Sequence, residues 1–98
     1  MFEIIKSQEF TEWVDALRDR LAANRIAARL RRATLGNLGD YKFLRDGVSE
    51  MRIDVGAGYR LYFTCKGNTV IVLLCGGDKK TQGADIDRAV ELAKIWGD

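Results

Sequence analysis

The spacing of apolar residues changes along the chain near residue 40. Before that point apolar residues recur every three or four positions, the spacing of an amphipathic helix, after a short aromatic and β-branched strand at Phe2–Lys6. Ser7 is predicted to cap a first helix, Asn24 to separate it from a second, and Gly36 to end the second. The residues predicted to face the core from these helices are Phe10, Trp13, Val14, Leu17, Leu21, Ala27, Leu30 and Ala33.

From Tyr41 onward the apolar residues alternate with polar ones, which predicts strands. The predicted strands are Tyr41–Arg45, Val48–Val55, Tyr59–Lys66 and Thr69–Gly76, joined by glycine-containing turns typical of hairpins. Helical spacing returns at Thr81. Because 98 residues leave room for one core, the pattern predicts a small single-domain α+β fold over residues 1–98, with its helices on one face of the sheet. Its order is an N-terminal strand, a two-helix hairpin, a four-stranded antiparallel meander and a C-terminal helix.

The turns also predict which side chains share a face of the sheet. A three-residue glycine loop between the second and third strands of the meander would place Asp54 opposite Arg60 and Arg52 opposite Tyr62. Glu50 lies on the same even-numbered face, which is predicted to be polar, while the odd-numbered neighbours are apolar and form the core face.

The last hairpin extends this polar face. A two-residue turn at Gly67–Asn68 would place Arg60 opposite Cys75. Lys79 and Lys80, just beyond the last strand, would then lie near Arg60.

The sequence contains no His, which removes the commonest general base and the commonest metal ligand. Chemistry therefore has to use Arg, Lys, Tyr, Asp, Glu or Cys. The predicted convergence of Arg52, Arg60, Tyr62 and Lys79 suits a phosphodiester, whose oxygens and transition-state charge such groups can hold. A plain ion pair between Asp54 and Arg60 on a solvated strand face is the alternative, and the residues alone leave both open.

A second cationic feature lies in the helical half of the chain. Six Arg occur between Arg18 and Arg32, against the single acid Asp19, although the net charge is only +2. Such a stripe can follow a phosphate backbone, bind an acidic partner segment or form a solvated helix face. The residues predicted to bind nucleic acid are Arg25, Arg29, Arg32 and Lys80.

No feature of the sequence indicates export or a cofactor. The longest purely apolar run, Val70–Cys75, is far shorter than a bilayer span, and the N-terminus lacks the pattern of a signal peptide, so we expect a cytoplasmic protein. Cys65 and Cys75 are predicted to be free thiols because the hairpin geometry separates them by about 17 Å. The stretch Gly76–Thr81 lacks the spacing of a phosphate loop, and we expect neither a metal nor a cofactor.

Three stretches, Gly47–Phe63, Val72–Gln82 and Asp85–Ile86, resemble the RelE/ParE toxin superfamily, and within it the HigB-like addiction module killer proteins. The most specific parts are Gly58-Tyr59-Arg60 and Gly77-Asp78-Lys79. The resemblance implies a toxin of a type II toxin-antitoxin module. Such a toxin is usually an endoribonuclease that cuts messenger RNA in the ribosome, inhibited by an antitoxin from the adjacent gene.

The resemblance also implies residue roles. Arg60 matches the Arg that stabilises the transition state, Arg52 matches a catalytic or phosphate-binding Lys, and Lys79 matches a second Arg. Two departures weaken the assignment of an acid and a base: Glu50 stands where a basic residue is common, and neither Tyr nor His follows Tyr62.

These departures leave several hypotheses open. In the ribonuclease hypothesis Glu50 or Asp54 accepts the proton of the RNA 2′-hydroxyl, and Tyr62 stacks on the RNA or donates a proton. A ParE-like inhibitor of DNA gyrase and a non-catalytic, antitoxin-binding protein are the alternatives. All three share an expected antitoxin partner, helical or of the helix-turn-helix type, that covers the Arg-bearing helices or the polar sheet face.

Overall fold

The structure, a computed structural model, describes residues 1–96. The elements are β1 (Glu3–Lys6), α1 (Gln8–Asp15), α2 (Arg20–Thr34), β2 (Tyr41–Arg45), β3 (Val48–Ile53), β4 (Tyr59–Lys66), β5 (Val70–Asp78), a 3₁₀ turn (Lys79–Thr81) and α3 (Gln82–Trp96). The predicted α+β class and element order are confirmed, and the last two residues of the predicted domain, Gly97 and Asp98, lie outside the described range. No helix within that range is long and apolar enough to cross a membrane.

The strands form one mixed sheet in the order β1-β5-β4-β3-β2. The four strands of the meander are antiparallel to their neighbours, as predicted. β1 pairs in parallel with β5, so β1 and β2 are the two edge strands of the sheet. The β2–β3 hairpin turns at Asp46 and Gly47, which both have positive φ (52° and 77°), the conformation that an Asp-Gly pair adopts readily.

Helices cover both faces of the sheet, and the prediction of helices on one face is wrong. α1 and α2 pack on the odd-numbered face, where Phe10 and Ile26 meet residues such as Met51 and Phe63. α3 packs on the other face. The apolar residues of that second core are Val48, Tyr62, Val72, Leu74, Cys75, Ala89, Val90 and Leu92. The even-numbered face is therefore apolar over much of its area and polar only at one end.

The break between the first two helices lies earlier than predicted. Asn24 is inside α2, and the helix begins after Asp19, whose carboxylate accepts a hydrogen bond from the Ala22 amide at 3.0 Å. A side-chain acceptor at the N-cap satisfies an amide that the helix leaves free, so Asp19 starts α2 more effectively than Asn24 could interrupt it. Starting at Arg20 turns Leu21 away from the core, and its side chain is 54% exposed.

The register of β3 against β4 is shifted by two residues from the prediction. Ile53, not Val55, lies opposite Tyr59, because a five-residue loop with positive φ at Gly56 and Gly58 replaces the predicted three-residue one. Asp54 therefore lies in the loop, exposed, and the predicted ion pair between Asp54 and Arg60 is wrong.

The β4–β5 pairing is also shifted, and it contains a bulge. Lys66 pairs with Val70 across a three-residue turn, and the register changes again between Phe63 and Tyr62. Arg60 consequently lies opposite Gly77 rather than Cys75. Cys65 and Cys75 are both free, as predicted.

Candidate anion-binding site

Two arginines and a glycine form one row across three adjacent strands. Arg52 on β3 lies directly opposite Arg60 on β4, which lies opposite Gly77 on β5. Because even-numbered side chains of β3 and β4 share a face, both guanidinium groups belong to the face that α3 partly covers. Like charges at opposing positions of antiparallel strands destabilise a sheet unless an opposite charge lies between or beside them.

Arg60 is a buried cation without a carboxylate partner. Its side chain and backbone together are 9% exposed, and its Nη1 donates to the Tyr59 carbonyl at 3.1 Å. Among residues 1–96 no carboxylate oxygen lies within 4.0 Å of this guanidinium, and its Nε finds no acceptor. Buried charges are normally paired, so Arg60 has the environment of a residue that binds an anion.

Arg52 is held by a neighbour on its own strand. The Glu50 carboxylate, 1% exposed, accepts from Arg52 Nε at 2.9 Å and from the Gln82 side-chain amide at 3.1 Å. The hydrogen bond to Glu50 is the main reason that the pKa of Arg52 is raised above its ordinary value. The Arg52 side chain stays 36% exposed, so its remaining donors can reach a ligand while Glu50 orients it.

The Glu50 carboxylate is buried, and both of its oxygens are already hydrogen-bonded. Each of its two oxygens already accepts a hydrogen bond, one from Arg52 and one from Gln82. A general base has to reach the proton that it removes. The geometry therefore fits Glu50 as a residue that positions Arg52 and partly neutralises the arginine pair.

Tyr62 lies opposite Glu50 and is fully buried. Its hydroxyl finds no hydrogen-bond partner among the described residues. Burial, and secondarily the negative charges of Glu50 and Asp85, raise the pKa of Tyr62 well above the ordinary value of tyrosine. Burial thus keeps the phenol neutral at physiological pH, so it cannot serve as a base, and its enclosed hydroxyl does not reach the surface.

The start of α3 completes the site with residues that the sequence analysis did not assign. Gln82 supplies the amide that holds Glu50, and Thr81 donates to the Asp85 carboxylate. A Cβ atom on Gly77 would overlap that carboxylate, so the missing side chain lets α3 approach β5 beside Arg60. The signal available in the sequence was a strand that ends in two glycines directly before a polar turn.

Lys79 and Lys80, both predicted to lie near Arg60, follow β5 in the 3₁₀ turn. The aliphatic part of Lys79 would contact a Cβ on Gly58, which places this exposed side chain over the loop two residues before Arg60. Lys80 is exposed, and its backbone amide donates to Asp78.

The three arginines predicted to bind nucleic acid lie on α2, on the opposite face of the sheet from Arg60. Arg29 is used structurally: its guanidinium donates to the carbonyls of Arg52 at 2.6 Å, Leu38 at 3.0 Å and Asp40 at 3.0 Å. Burial lowers the pKa of Arg29, with a further contribution from the nearby charge of Arg32. Arg25 and Arg32 are exposed and form a surface separate from the anion site.

Two comparisons with known proteins each cover most of the chain. The profile of a family described as phage-derived protein Gp49-like (DUF891) matches residues 8–95. An uncharacterized protein of Haemophilus influenzae is 44% identical over 88 residues, which cover 90% of this chain and 89% of the relative. The family match includes β3, β4, β5 and all of α3 but its last residue, the elements that build the anion site.

Proposed function

We propose that this chain, which belongs to the phage-derived Gp49-like family associated with toxin-antitoxin modules and related to RelE and HigB type toxins, is the toxin of such a module. Its activity in this proposal is endoribonucleolytic cleavage of messenger RNA, on the ribosome, which inhibits translation in the cytoplasm. The observation that carries the proposal is Arg60, a buried cation with no carboxylate partner among the described residues, directly opposite a second arginine. A phosphodiester supplies the charge that this pair lacks.

The proposed chemistry is attack of an RNA 2′-hydroxyl on the adjacent phosphorus, which breaks the bond to the 5′-oxygen. Arg60 stabilises the additional charge of the phosphorane, and Arg52 and Lys79 hold the phosphate oxygens. Tyr62 is fully buried, like Glu50, and does not reach the leaving 5′-oxygen, so that oxygen takes its proton from solvent. Both oxygens of Glu50 are already hydrogen-bonded, and Asp54 lies in the loop after β3. In this proposal the 2′-hydroxyl proton therefore leaves to solvent.

The test of cleavage is primer extension on a reporter transcript after the protein is induced in cells without an antitoxin. We expect cleavages with codon periodicity, and an Arg60→Ala variant is expected to reduce them by about 10²–10³-fold. Arg45→Ala is the matched control, because Arg45 forms only exposed ion pairs with Asp46 and Asp87. Undiminished cleavage by Arg60→Ala would refute the role of this arginine.

The absence of a free base at Glu50 favours a second candidate, a ParE-like inhibitor of DNA gyrase that cuts no RNA. A supercoiling assay with purified gyrase separates the two, since inhibition without any transcript cleavage is expected only for the gyrase inhibitor. A third result is that neither the parent protein nor Arg60→Ala arrests growth. Together with binding to the product of the adjacent gene, that result would support a non-catalytic, antitoxin-binding protein.

In all three cases the proposed partner is an antitoxin of the helix-turn-helix type encoded beside this chain. Co-purification of the neighbouring gene product with this chain tests that partnership directly.

A further inference from the structure

Edge strand β2 presents two aromatic rings to solvent. Tyr41 and Phe43 are 50% and 63% exposed, whereas every other aromatic side chain of residues 1–96 is buried or partly buried. The two residues are two positions apart, so their side chains share one face of the sheet and lie about 7 Å apart along the strand. Single exposed apolar residues are normal on a protein surface, but two neighbouring rings form a patch.

The ring of Tyr41 is held in place by the core. It contacts the ring of Phe63, with the centroids 6.3 Å apart and the planes inclined by 52°, and Phe63 is itself buried. This contact fixes one side of the Tyr41 ring while half of the residue stays accessible. A flat apolar surface that is already fixed loses little conformational freedom when a ligand stacks on it.

The backbone of β2 is a poor template for a further strand. β2 pairs only with β3, and the register of that pairing is irregular between Phe43 and Arg45. Lys42, which is exposed, lies in the middle of the strand between the two aromatic residues. Lysines and irregularities on edge strands prevent sheets from pairing edge to edge. The exposed rings therefore lie on an edge that disfavours a strand of a second copy as their occupant.

Lys42 connects this edge to the anion site. It lies directly opposite Glu50, so its side chain is on the same even-numbered face as Arg52 and Arg60. Among residues 1–96 Lys42 has no carboxylate oxygen within 4.0 Å. Only β3 lies between β2 and β4, which are thus about 10 Å apart. A run of phosphates that passes through the anion site can therefore continue past Lys42 to the edge of the sheet.

We infer that Tyr41 and Phe43 form a stacking platform for two bases of single-stranded RNA, and that Lys42 holds a phosphate between this platform and the anion site. Exposed aromatic residues on strands stack bases in common RNA-binding modules, and such stacking accepts any base because every base has a π-face. The choice of RNA rests on the proposed function. The platform adds to that function a place for nucleotides beside the phosphate that is cut.

The probe is a fluorescently labelled 2′-O-methyl oligouridylate of about ten nucleotides, which lacks the 2′-hydroxyl needed for cleavage. An abasic oligomer of the same length carries the phosphates without the bases and is the control probe. Fluorescence anisotropy at several salt concentrations measures the affinity for each. We expect the full-length protein to bind the oligouridylate at least about tenfold more tightly than the abasic oligomer.

Variants of β2 separate stacking from charge. Tyr41→Thr with Phe43→Thr keeps residues that favour strands, and should weaken oligouridylate binding by about tenfold or more without changing its salt dependence. Lys42→Gln should instead reduce the slope of log affinity against log salt by about 0.7. Tyr41→Phe keeps the ring and should bind like the parent protein. Leu35→Thr, which removes an exposed apolar side chain outside β2, is the matched control and should also bind like the parent.

The comparison of the two probes is independent of cleavage. Arg60→Ala is expected to lose cleavage and to keep the preference for the oligouridylate, because the platform is intact. Equal affinity of the parent protein for the two probes would overturn the inference and leave the proposed cleavage standing. The inference would also be overturned if sedimentation velocity showed a dimer that the double threonine variant loses, since that result would assign the rings to a second copy of this chain.

Discussion

Arg52 and Arg60 lie directly opposite each other on adjacent antiparallel strands, and among the described residues only Arg52 forms an ion pair, with Glu50. The Arg60 guanidinium thus has no ion-pair partner in a site that α3 partly covers. Such a site gains stability from an added anion, because binding removes the repulsion between the guanidinium groups as well as the cost of burying Arg60.

Sulfate should therefore stabilise this protein more than chloride at equal ionic strength. An anion that binds only the folded state adds free energy in proportion to the logarithm of its concentration, and each kcal/mol corresponds to about 4–8 °C in Tm for a domain of this size. We expect Arg60→Ala to abolish the sulfate-specific part of the shift and Arg88→Ala, on the surface, to retain it. Thermal unfolding followed by circular dichroism measures both, and an equal shift in all three proteins would argue against an anion site at Arg60.

Glu50→Gln should separate a positioning role from a catalytic one. Loss of the charge weakens the hold on Arg52 and leaves the arginine pair without its counter-charge, so we expect the free energy of unfolding to fall by about 1–3 kcal/mol. Sulfate affinity should rise, because the site loses one negative charge. Glu91→Gln, at an exposed ion pair, should change neither quantity measurably. If Glu50 were the general base, the variant would instead lose cleavage activity by three orders of magnitude or so, together with the acidic limb of the pH–rate profile.

Gly77→Ala should damage the packing of α3 against β5. The added methyl group would overlap the Asp85 carboxylate and approach the Thr81 hydroxyl, so α3 would have to move, at an expected cost of about 1–3 kcal/mol in unfolding free energy. Gly83→Ala, in the first turn of the same helix, meets open space and should stabilise the protein by about 0.5–1 kcal/mol. Urea unfolding of the two variants is a direct comparison, and equal midpoints would contradict the close approach at Gly77.

Arg29→Ala should destabilise the protein, whereas Arg25→Ala should not. The Arg29 guanidinium satisfies three backbone carbonyls between α2 and the β2–β3 region, and its loss is expected to cost about 1.5–3 kcal/mol. Lysine cannot replace it, because one ammonium group lacks the planar fork that reaches separate carbonyls. Arg25 is exposed and should stay within about 0.5 kcal/mol of the parent. A stable Arg29→Ala protein with reduced RNA binding would restore the nucleic-acid role predicted for this residue.

Stability should decline in alkaline solution through two buried groups. Burial raises the pKa of the Cys75 thiol to about 12 and raises that of Tyr62 well above its ordinary value, while the unfolded chain ionises near the ordinary values of about 8.5 and 10. Above those values the folded state retains protons that the unfolded state has lost. The unfolding free energy then falls with rising pH by up to about 1.4 kcal/mol per pH unit for each group. Cys75→Ala and Tyr62→Phe should each flatten that decline in urea titrations between about pH 8 and 11, whereas Tyr41→Phe, at a half-exposed site, should not.

The residues that form the anion site were predictable, although the register that pairs β3 with β4 was not. The predicted β3–β4 register was wrong by two residues, but side chains alternate with a period of two, so Glu50, Arg52, Arg60 and Tyr62 stayed on one common face. The same error assigned Asp54 as the partner of Arg60, and that pairing hid the most informative property of the site, the lack of a carboxylate beside Arg60.

Local chemistry explains what the sequence alone determined: the order of helices and strands, the Asp-Gly hairpin, the two faces of the meander and the free thiols. Each of these depends on residues a few positions apart. The tertiary structure decided the rest, since loop conformation sets strand register and the docking of α3 sets burial. Only that docking encloses Arg60, engages Glu50 through Gln82 and buries Tyr62, because those contacts join residues twenty to thirty positions apart or more, whose meeting no local pattern encodes.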